Sequence, residues 1–481
     1  MTRRDGKMYP RLNKCLVRGA EGDFYLKTFD TGSEYFLDSL PAQILWHCDG
    51  NHSLEWLAQK FSQPAEDVES FLAEIEKAEL LTMEQEKKPV TFPPFARPPY
   101  LKEVQFDATG HCNLFGICKH CYGKKVFQEA AKTELSLEEM LKIFKQMHDL
   151  NVANCFLSGG EIFTRRDLPE IIQAIAANQI YLSGIFTNGT IHRPEVISAV
   201  LASGVRTTFL VSLDGHTSSI NDFMRGPGNL AKTVTFIKEA KGAGLKVTVN
   251  TMVIRQNIAQ LMDMALFLED LGIDRWRLSI PREQGEAILN KELIVPEWEQ
   301  IFTAYEMLLR YGLTKKGGMR IQLSSIFKTE FLEKKNFFLF VDDTSCCEYK
   351  RWSLVVKPNG MVVACPALDS LVFGDLRRME LSEIWYSDLT QAFKTLPLSA
   401  TECHDCPIKQ YCGSGCRQTA FQLHGSILAR DTNACPLYQF FYDRILPIFQ
   451  EYGIEPQPLP VTQPYRFDPM ILDKAIATGK E

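Results

Sequence analysis

The chain has 481 residues, a length that predicts two to four domains. Hydrophobic residues make up 45% and charged residues 23%, as in globular proteins, and the net charge of −6 gives no reason to expect a nucleic-acid partner. No apolar run of about 18 residues predicts a membrane span, and no apolar core follows the basic start of the chain, so we expect a cytoplasmic protein without a secretory signal.

Residues 1–87 are predicted to form a small α+β domain. Three short β-like runs are separated by glycine-containing turns, at Cys15–Val17, Phe24–Thr28 and Glu34–Leu37. Three amphipathic helices are expected next, one capped by Asp38 or Ser39, one at Ser53–Phe61 and one at Glu66–Leu81. Residues 88–100 are rich in proline, which favours a stiff, extended linker.

Strands and helices alternate between residues 101 and 285. The predicted strands are Val104–Ala108, Asn154–Ser158, Leu182–Thr187, Thr208–Leu213, Lys246–Met252 and Arg275–Ser279. Amphipathic helices are expected between them, for example at Glu138–Leu150 and Ala231–Ala243. Six β/α repeats predict an α/β fold with a parallel sheet, closed or partly closed as a (β/α)6 barrel. In such folds the chemistry is found at the carboxyl ends of the strands.

The remainder of the chain divides into three parts. Residues 286–345 are predicted to be an irregular bridge with one helix, Glu297–Leu309, and residues 346–445 form a cysteine-rich domain. In the C-terminal tail, residues 446–481, the proline-rich stretch Glu455–Tyr465 is expected on the surface without a packed element.

The 14 cysteines are the most informative residues of the chain. In a reducing compartment, clustered cysteines indicate metal binding rather than disulfides. Cys15, Cys48 and Cys155 stand alone among apolar residues and are interpreted as core residues.

The first cysteine group comprises Cys112, Cys118 and Cys121, directly after the first predicted barrel strand. Three thiolates in one loop can hold three irons of a 4Fe–4S cluster and leave the fourth iron open for a ligand. The same three cysteines could also be part of a zinc site.

The loop Cys112-Asn-Leu…Cys118-Lys-His-Cys121-Tyr-Gly resembles the signature of the radical S-adenosylmethionine (SAM) superfamily. The family has three residues between its first two cysteines, whereas this chain has five, with Phe115-Gly116 as the extra pair. The resemblance implies that SAM chelates the open iron. One electron from the reduced cluster then cleaves SAM to methionine and a 5′-deoxyadenosyl radical, which abstracts hydrogen from the substrate.

The resemblance also implies which residues bind SAM. Gly159, Gly160 and Glu161 match the motif that holds the methionine amino group. Asn188 lies in a TNG turn at the end of the third strand, which is weak evidence alone, and His120 takes the position beside the adenine. Ser212 and Arg225 would contact the ribose and carboxylate of SAM. The alternatives are a plain tight turn at the glycines and ordinary surface roles for His120 and Arg225.

The C-terminal cysteines resemble the SPASM domain, which binds two auxiliary 4Fe–4S clusters in peptide-modifying radical SAM enzymes. By position, Cys347, Cys365 and Cys416 would hold the nearer auxiliary cluster, and the outer cluster would be held by Cys403, Cys406, Cys412 and Cys435. A CxxC pair alone would favour zinc. The stretch Tyr349–Asn359 has no further cysteine, so the fourth ligand of the nearer cluster is either Cys346 or absent.

The order of strands and helices in residues 1–87 resembles a PqqD-like, winged-helix-type domain, in which the leader of a precursor peptide adds to the edge of the third strand. The alternative is a winged-helix packing domain without a ligand. Together the resemblances imply a maturase that installs a crosslink, thioether or carbon–carbon, in a precursor peptide, with a flavodoxin or ferredoxin as electron donor. Two alternatives remain: the same chemistry on a small molecule or a protein, as in haem-precursor processing or sulfatase maturation, and a degenerate peptide-binding scaffold.

Overall fold

The computed structural model describes residues 7–315, 317–347, 351–459 and 465–478. The N-terminal part contains, in chain order, β1 (Tyr9–Leu12), β2 (Cys15–Ala20), β3 (Asp23–Thr28), β4 (Glu34–Leu37), α1 (Ser39–Trp46), α2 (Leu54–Lys60), α3 (Ala65–Lys77) and β5 (Leu81–Glu84). Strands β2, β3 and β4 form an antiparallel sheet in that order, so β4 is an edge strand.

The predicted third helix is too long at its C-terminal end. Helix α3 stops at Lys77, and Leu81 instead begins β5, which pairs antiparallel with β1. Glu79 takes a left-handed φ of 61°, which ends the helix, and Leu81 then packs into the core of the N-terminal domain. Neither β1 nor β5 was predicted, because each is short and depends on a partner far away in the sequence.

The central part of the chain contains, in order, β6 (Glu103–Thr109), α4 (Lys124–Ala130), α5 (Leu137–Asp149), β7 (Asn154–Gly159), α6 (Leu168–Ala177), β8 (Tyr181–Thr187), α7 (Pro194–Ala202), β9 (Thr208–Ser212), α8 (Ser218–Arg225), α9 (Asn229–Gly242), β10 (Lys246–Met252), α10 (Leu261–Asp270) and β11 (Arg275–Ser279). Strands β6 to β11 are parallel neighbours in one sheet. The α/β fold class with a large, mostly parallel sheet is confirmed.

The following segment contains α11 (Glu286–Leu289), α12 (Lys291–Ile294), α13 (Trp298–Thr314), β12 (Arg320–Leu323), β13 (Phe327–Lys328), α14 (Thr329–Lys334) and β14 (Asn336–Leu339). It is more regular than expected, because β12 joins the main sheet parallel to β11 and β13 adds antiparallel to β12.

The C-terminal part contains β15 (Ser353–Val356), β16 (Met361–Cys365), β17 (Leu368–Asp375), α15 (Leu381–Trp385), α16 (Asp388–Lys394), α17 (Lys409–Cys412), α18 (Arg417–His424), α19 (Cys435–Phe440), α20 (Leu446–Glu451), β18 (Glu455–Pro458) and α21 (Met470–Thr478). The proline-rich stretch is exposed, as expected. The prediction that it contains no packed element was wrong, because its strand β18 pairs parallel with β14. Its residues 460–464 lie outside the described residues.

One sheet of eleven strands connects the barrel with the cysteine-rich part, in the order β13-β12-β11-β10-β9-β8-β7-β6-β15-β16-β17. Strand β15 pairs parallel with β6, on the side of β6 that faces away from β7. A buried ion pair reinforces this junction, with Lys357 Nζ 2.8 Å from Asp107 Oδ2. In the described residues no helix is long and apolar enough to cross a membrane.

The N-terminal domain packs directly on the barrel. The buried Arg18 donates from Nη1 to Asn151 Oδ1 at 2.8 Å, next to the Tyr100 hydroxyl, which donates to the Asn151 carbonyl at 2.9 Å. Residues 88–100 contain no helix or strand, but both ends are held: Trp46 donates to the Pro93 carbonyl and Trp385 to the Pro99 carbonyl. The N-terminal domain is therefore anchored to both larger parts of the chain.

Alternation along the strands decides which side chains face the inside of the barrel. In β11, Trp276 and Leu278 are fully buried in the core beneath the surrounding helices, so the residues between and beside them face inward. The core continues through Val247 and Val249 of β10. Polar residues at alternate positions of these strands therefore line the interior.

Candidate active site

The cysteine loop leaves β6 at its carboxyl end and carries Cys112, Cys118 and Cys121, all half-buried. The segment between the first two cysteines forms a tight turn, in which Cys118 N donates to the Leu114 carbonyl at 3.2 Å. Gly116, one of the two extra residues, has a φ of 81° with no atom near its Cα in the direction of a side chain. The two additional residues are therefore accommodated by an outward turn that a glycine permits.

The glycines after β7 bring the cysteine loop close to the second strand. Gly160 N donates to the Thr109 carbonyl at 2.8 Å, and Glu161 N donates to the His111 carbonyl at 2.7 Å. A Cβ on Gly160 would lie 2.3 Å from the His111 carbonyl oxygen and 3.1 Å from Cys112 Cβ. Only a glycine fits there, so its role is to permit close backbone contact between the two loops.

The Glu161 side chain is buried and connects the second and third strands. Its carboxylate accepts hydrogen bonds from Thr187 Oγ1 at 2.8 Å, from Asn188 N at 2.6 Å and from Phe163 N at 3.1 Å. Burial raises the pKa of Glu161, while these hydrogen bonds and the charge of Arg225 oppose the rise. A carboxylate can accept about four hydrogen bonds, so one position is left for a ligand such as an ammonium group.

Asn188 fixes the cysteine loop from the third strand. Its Nδ2 donates to Asn113 Oδ1 at 2.9 Å, and Asn113 lies directly after Cys112. The Asn188 backbone carbonyl in turn accepts from Thr233 Oγ1 at 2.9 Å. In the structure Asn188 therefore acts on the loop that carries the cysteines, in addition to its predicted place near SAM.

Arg225 and His120 meet at a buried carboxylate that the sequence reasoning missed, Asp214. Arg225 Nε donates to Asp214 Oδ2 at 2.8 Å, and His120 Nε2 lies 3.2 Å from the same oxygen. Although burial opposes ionisation, Arg225 and His120 hold the pKa of Asp214 well below its ordinary value. The Ser212-Leu-Asp-Gly215 motif contained the signal, because Asp214 follows the fourth strand where Ser212 ends it.

The pKa values of the three cysteines are shifted by one another's charges and by the charges of Arg225 and Asp214. Burial raises the pKa of Cys112 to about 12, and Glu161, Cys118 and Cys121 contribute to the rise. Burial also raises the pKa of Cys118 to about 11, against the influence of Arg225. Arg225 therefore lies close enough to stabilise negative charge on this loop.

The charges of the C-terminal cysteines influence one another within the two predicted groups, whose assignment as cluster ligands stays a prediction. Burial raises the pKa of Cys347 to about 12, with contributions from the charges of Cys365 and Cys416. Burial likewise raises the pKa of Cys412, and the negative charges of Cys403 and Cys435 contribute to this rise. Cys406 joins this second group, since its charge raises the pKa of Cys435.

Cys346 lies near cysteines of both groups, since its charge contributes to the raised pKa of Cys347. Cys346 is buried beside Ser414 and Arg417. The charge of Cys403 contributes to the raised pKa of Cys346. Cys346 and Cys347 lie in a turn. Residues 348–350, which include the start of the stretch Tyr349–Asn359, lie outside the described residues. Whether Cys346 is a fourth ligand of the nearer group stays a prediction with two alternatives.

A segment after β11 contacts both cysteine regions. Arg282 Nη1 donates to Cys416 Sγ at 3.3 Å, and Gln284 Nε2 donates to the Ala367 carbonyl at 3.0 Å. A few residues later, Glu286 N donates to the Cys121 carbonyl at 2.9 Å and Asn290 Nδ2 to the Lys119 carbonyl at 3.1 Å. We call residues 282–290 the clasp, because this segment connects the first cysteine loop to the nearer auxiliary group.

The donor sets fit iron–sulfur clusters better than they fit single ions. Among the described residues no group of three or more His, Cys, Asp or Glu side chains is arranged to hold a single metal ion. The fit therefore rests on the donors themselves. Neighbouring cysteines lie close enough for their charges to shift one another's pKa values. Hydrogen-bond donors accompany them, because Arg282 donates to Cys416 Sγ and Leu114 N donates to Cys112 Sγ at 3.4 Å.

Comparison with known proteins agrees with these features. Residues 108–268 match the radical SAM superfamily, and residues 346–407 match the SPASM iron-sulfur cluster-binding domain. The PqqA peptide cyclase of Rhizobium meliloti is 28% identical over 330 residues, covering 68% of this chain and 84% of that protein. The AdoMet-dependent heme synthase of Nitratidesulfovibrio vulgaris is 25% identical over 349 residues, covering 69% and 92%.

Solved structures share the fold. Streptococcus suis SuiB bound to S-adenosylmethionine superimposes with a TM-score of 0.61 at 17% identity, covering 88% of this chain and 99% of that one. SuiB bound to its precursor peptide SuiA gives a TM-score of 0.60 at 15% identity, covering 89% and 99%. The enzyme anSMEcpe with bound AdoMet and a peptide gives 0.59 at 16% identity, covering 74% and 99%.

Proposed function

We propose that this chain, in which a radical SAM domain is followed by a SPASM domain, modifies a ribosomally made precursor peptide, and that the modification is a crosslink. The observation that carries the proposal is the combination of a half-buried cysteine loop at the carboxyl end of β6 with an exposed strand edge on the N-terminal domain. Relatives named PqqA peptide cyclase, and the shared fold of SuiB bound to its precursor peptide, support the same substrate class.

The residues around the first cysteine loop have separate tasks in this proposal. When bound, the 4Fe–4S cluster and SAM supply the radical that abstracts hydrogen from the substrate. Cys112, Cys118 and Cys121 hold the cluster, and the remaining hydrogen-bond position of Glu161 takes the methionine ammonium group. Arg225, oriented by Asp214, binds the carboxylate of SAM, while His120 lies beside the adenine and Ser212 at the ribose.

The SPASM cysteines would hold two further clusters, making three in all. Cys347, Cys365 and Cys416 would hold the nearer one. Cys403, Cys406, Cys412 and Cys435 bind the outer one. We propose that these clusters accept the electron that remains when the crosslink forms and that a flavodoxin or ferredoxin supplies the initiating electron. None of the cysteines in the described residues forms a disulfide, and we propose a reducing compartment such as the cytoplasm.

The N-terminal domain supplies the site for the leader. Strand β4 lies at a sheet edge, and its Tyr35 and Phe36 are 51% and 75% exposed. Beside this edge a cavity of about 340 Å³ is lined by residues of β3, β4 and the end of α3, among them Leu26, Leu37 and Ile75. An extended peptide can add to the edge through main-chain hydrogen bonds while one of its apolar side chains enters the cavity.

The decisive experiment combines the anaerobic, reconstituted protein with SAM, a reductant and the precursor peptide encoded beside its gene. We expect formation of 5′-deoxyadenosine together with a peptide whose mass is lower by two hydrogens. SAM cleavage with an unchanged peptide would contradict the proposal.

A variant of the edge strand separates a peptide maturase from an enzyme that acts on a small molecule. Phe36→Lys should weaken binding of the full-length peptide about tenfold or more, because a lysine on an edge strand discourages strand addition. SAM cleavage without peptide should be unchanged. The control is Leu266→Lys, an exposed leucine on α10 that is 55% accessible, which should bind the peptide normally.

A further inference from the structure

Five polar side chains form a row across the inner face of the sheet. Neighbouring strands place Ser212 beside Asn250, Asn250 beside Arg277, Arg277 beside Gln322 and Gln322 beside Lys328. Residues in register on adjacent strands share a face. All five are half-buried, whereas their neighbours Trp276 and Leu278 fill the core on the opposite face. The row begins at the proposed ribose contact and crosses the interior of the barrel.

Positive charge is in excess along this row. Arg275 forms an ion pair with Glu330, and the charge of the same carboxylate also reaches Lys328. Arg277 is different, because in the described part of the chain its guanidinium has no hydrogen-bond or ion-pair partner. Burial and the neighbouring Arg275 lower the pKa of Arg277, with no carboxylate to offset them. The charge of Glu330 thus reaches Arg275 and Lys328, and Glu330 Oε1 also lies 3.9 Å from Arg320 Nη1.

A guanidinium that has partly lost its hydration and has no partner gains more from a ligand of negative charge than an exposed one would. Arginine presents a planar pair of donors that matches a carboxylate. Arg277 lies two strands from Ser212, about 10 Å at the usual strand spacing. A group bound there would be inside the barrel and close to SAM.

We propose that Arg277, flanked by Asn250 and Gln322, binds a carboxylate of the substrate inside the barrel. The inference rests on the proposed function, since it requires a substrate that enters the barrel. The inference also predicts which substrates the protein selects: the modified segment carries an aspartate, a glutamate or a free C-terminus within reach of the reacting carbon. The amide groups of Asn250 and Gln322 can complete the hydrogen bonding of the bound oxygen atoms.

The test uses two short probes with the SAM-loaded, reconstituted protein: acetyl-glutamate methylamide and its uncharged partner, acetyl-glutamine methylamide. Binding is measured by the relaxation of the probes' methyl protons, which bound paramagnetic clusters accelerate. We expect the wild-type protein to bind the glutamate probe about tenfold more tightly than the glutamine probe. Arg277→Gln should abolish this preference, and Arg277→Lys should retain part of it.

Arg320→Gln is the matched control, because Arg320 lies on β12 but is exposed and paired with Glu333 at 3.0 Å. It should keep the full preference. Equal binding of the two probes to the wild-type protein, or a preference that survives Arg277→Gln, would overturn the proposal. A carboxylate could also come from SAM, so the affinity for SAM is measured in the same variants. A weaker SAM affinity in Arg277→Gln without a probe preference in the wild type would assign Arg277 to the cofactor and refute the substrate site.

These readouts do not depend on turnover. If the wild-type protein leaves the precursor peptide unmodified but distinguishes the probes, the proposed function fails and the anion site remains. If it modifies the peptide but treats both probes alike, the anion site alone fails.

Discussion

Arg225 Nε and Asp214 Oδ2 form a buried ion pair of 2.8 Å directly beneath the first cysteine loop. Removing the negative charge with Asp214→Asn leaves Arg225 without its orienting partner. We expect the affinity for SAM to fall about tenfold, because a charged hydrogen bond that positions the guanidinium is lost. The iron content should remain unchanged. The measurement is equilibrium dialysis of SAM, together with the change that SAM causes in the electron paramagnetic resonance spectrum of the reduced cluster.

Asp263→Asn, at an exposed aspartate in the first turn of α10, is the control and should bind SAM normally. If Asp214→Asn also bound SAM as tightly as the wild type, the positioning role of Asp214 would be wrong.

Gly160→Ala tests the contact between the two loops. The new methyl group would collide with the His111 carbonyl and push the Cys112 segment away from the second strand. We expect a destabilisation of about 1–3 kcal/mol and loss of iron from the first cluster. Thermal unfolding and iron analysis measure the two effects. The control is Gly242→Ala at the end of α9, where the space is open, and it should be neutral or stabilising by about 0.5–1 kcal/mol.

Arg282→Gln tests the clasp. The hydrogen bond to Cys416 and the positive charge both favour the more negative, reduced state of a cluster bound there. We therefore expect the reduction potential of the nearer auxiliary cluster to become more negative, with the potential of the SAM-binding cluster unchanged. Potentiometric titration followed by electron paramagnetic resonance separates them. Gln284→Ala breaks the neighbouring contact without removing charge and should leave both potentials unchanged; equal shifts in the two variants would contradict a charge effect.

The grouping of the cysteines predicts a pattern of iron loss. Cys416→Ala should remove about four irons from a total of about twelve, and Cys412→Ala should remove about four others. Adding Cys347→Ala to Cys416→Ala should cause no further loss, because we assign both residues to the same cluster. Cys155→Ala, in the core of the barrel, should retain all the iron. Additive loss from Cys347 and Cys416 would show that the groups are divided differently.

The strands of the barrel could be predicted closely, whereas the pairings outside it could not. Lys246–Met252 and Arg275–Ser279 were predicted at their observed bounds, since buried and inward-facing residues alternate strongly there. Strands β1 and β5 are four residues long and gain their stability from one another across about seventy residues of chain. Local periodicity contains no information about such a partner.

The site shows the same division. The resemblance indicated the places of Glu161 and Ser212, which follow and end parallel strands, and of Arg225, which ends α8. The charge of Asp214 and the clasp at Arg282 were missed. Asp214 lies within the Ser212–Gly215 motif, but its role depends on contacts with His120 and Arg225, and that of Arg282 depends on its contact with Cys416. The predicted roles of the SAM-binding residues and cluster ligands remain predictions that the variants above can test.

The pairing of β15 with β6 also has a consequence for how such proteins can evolve. Strand β6 leads into the first cysteine loop, and half of its backbone hydrogen bonding depends on a strand encoded some 250 residues later. A recombination event that replaced only the barrel or only the cysteine-rich half would leave this strand with an ill-fitting neighbour. The two halves are therefore expected to be inherited together, and exchange between lineages should occur at the N-terminal domain.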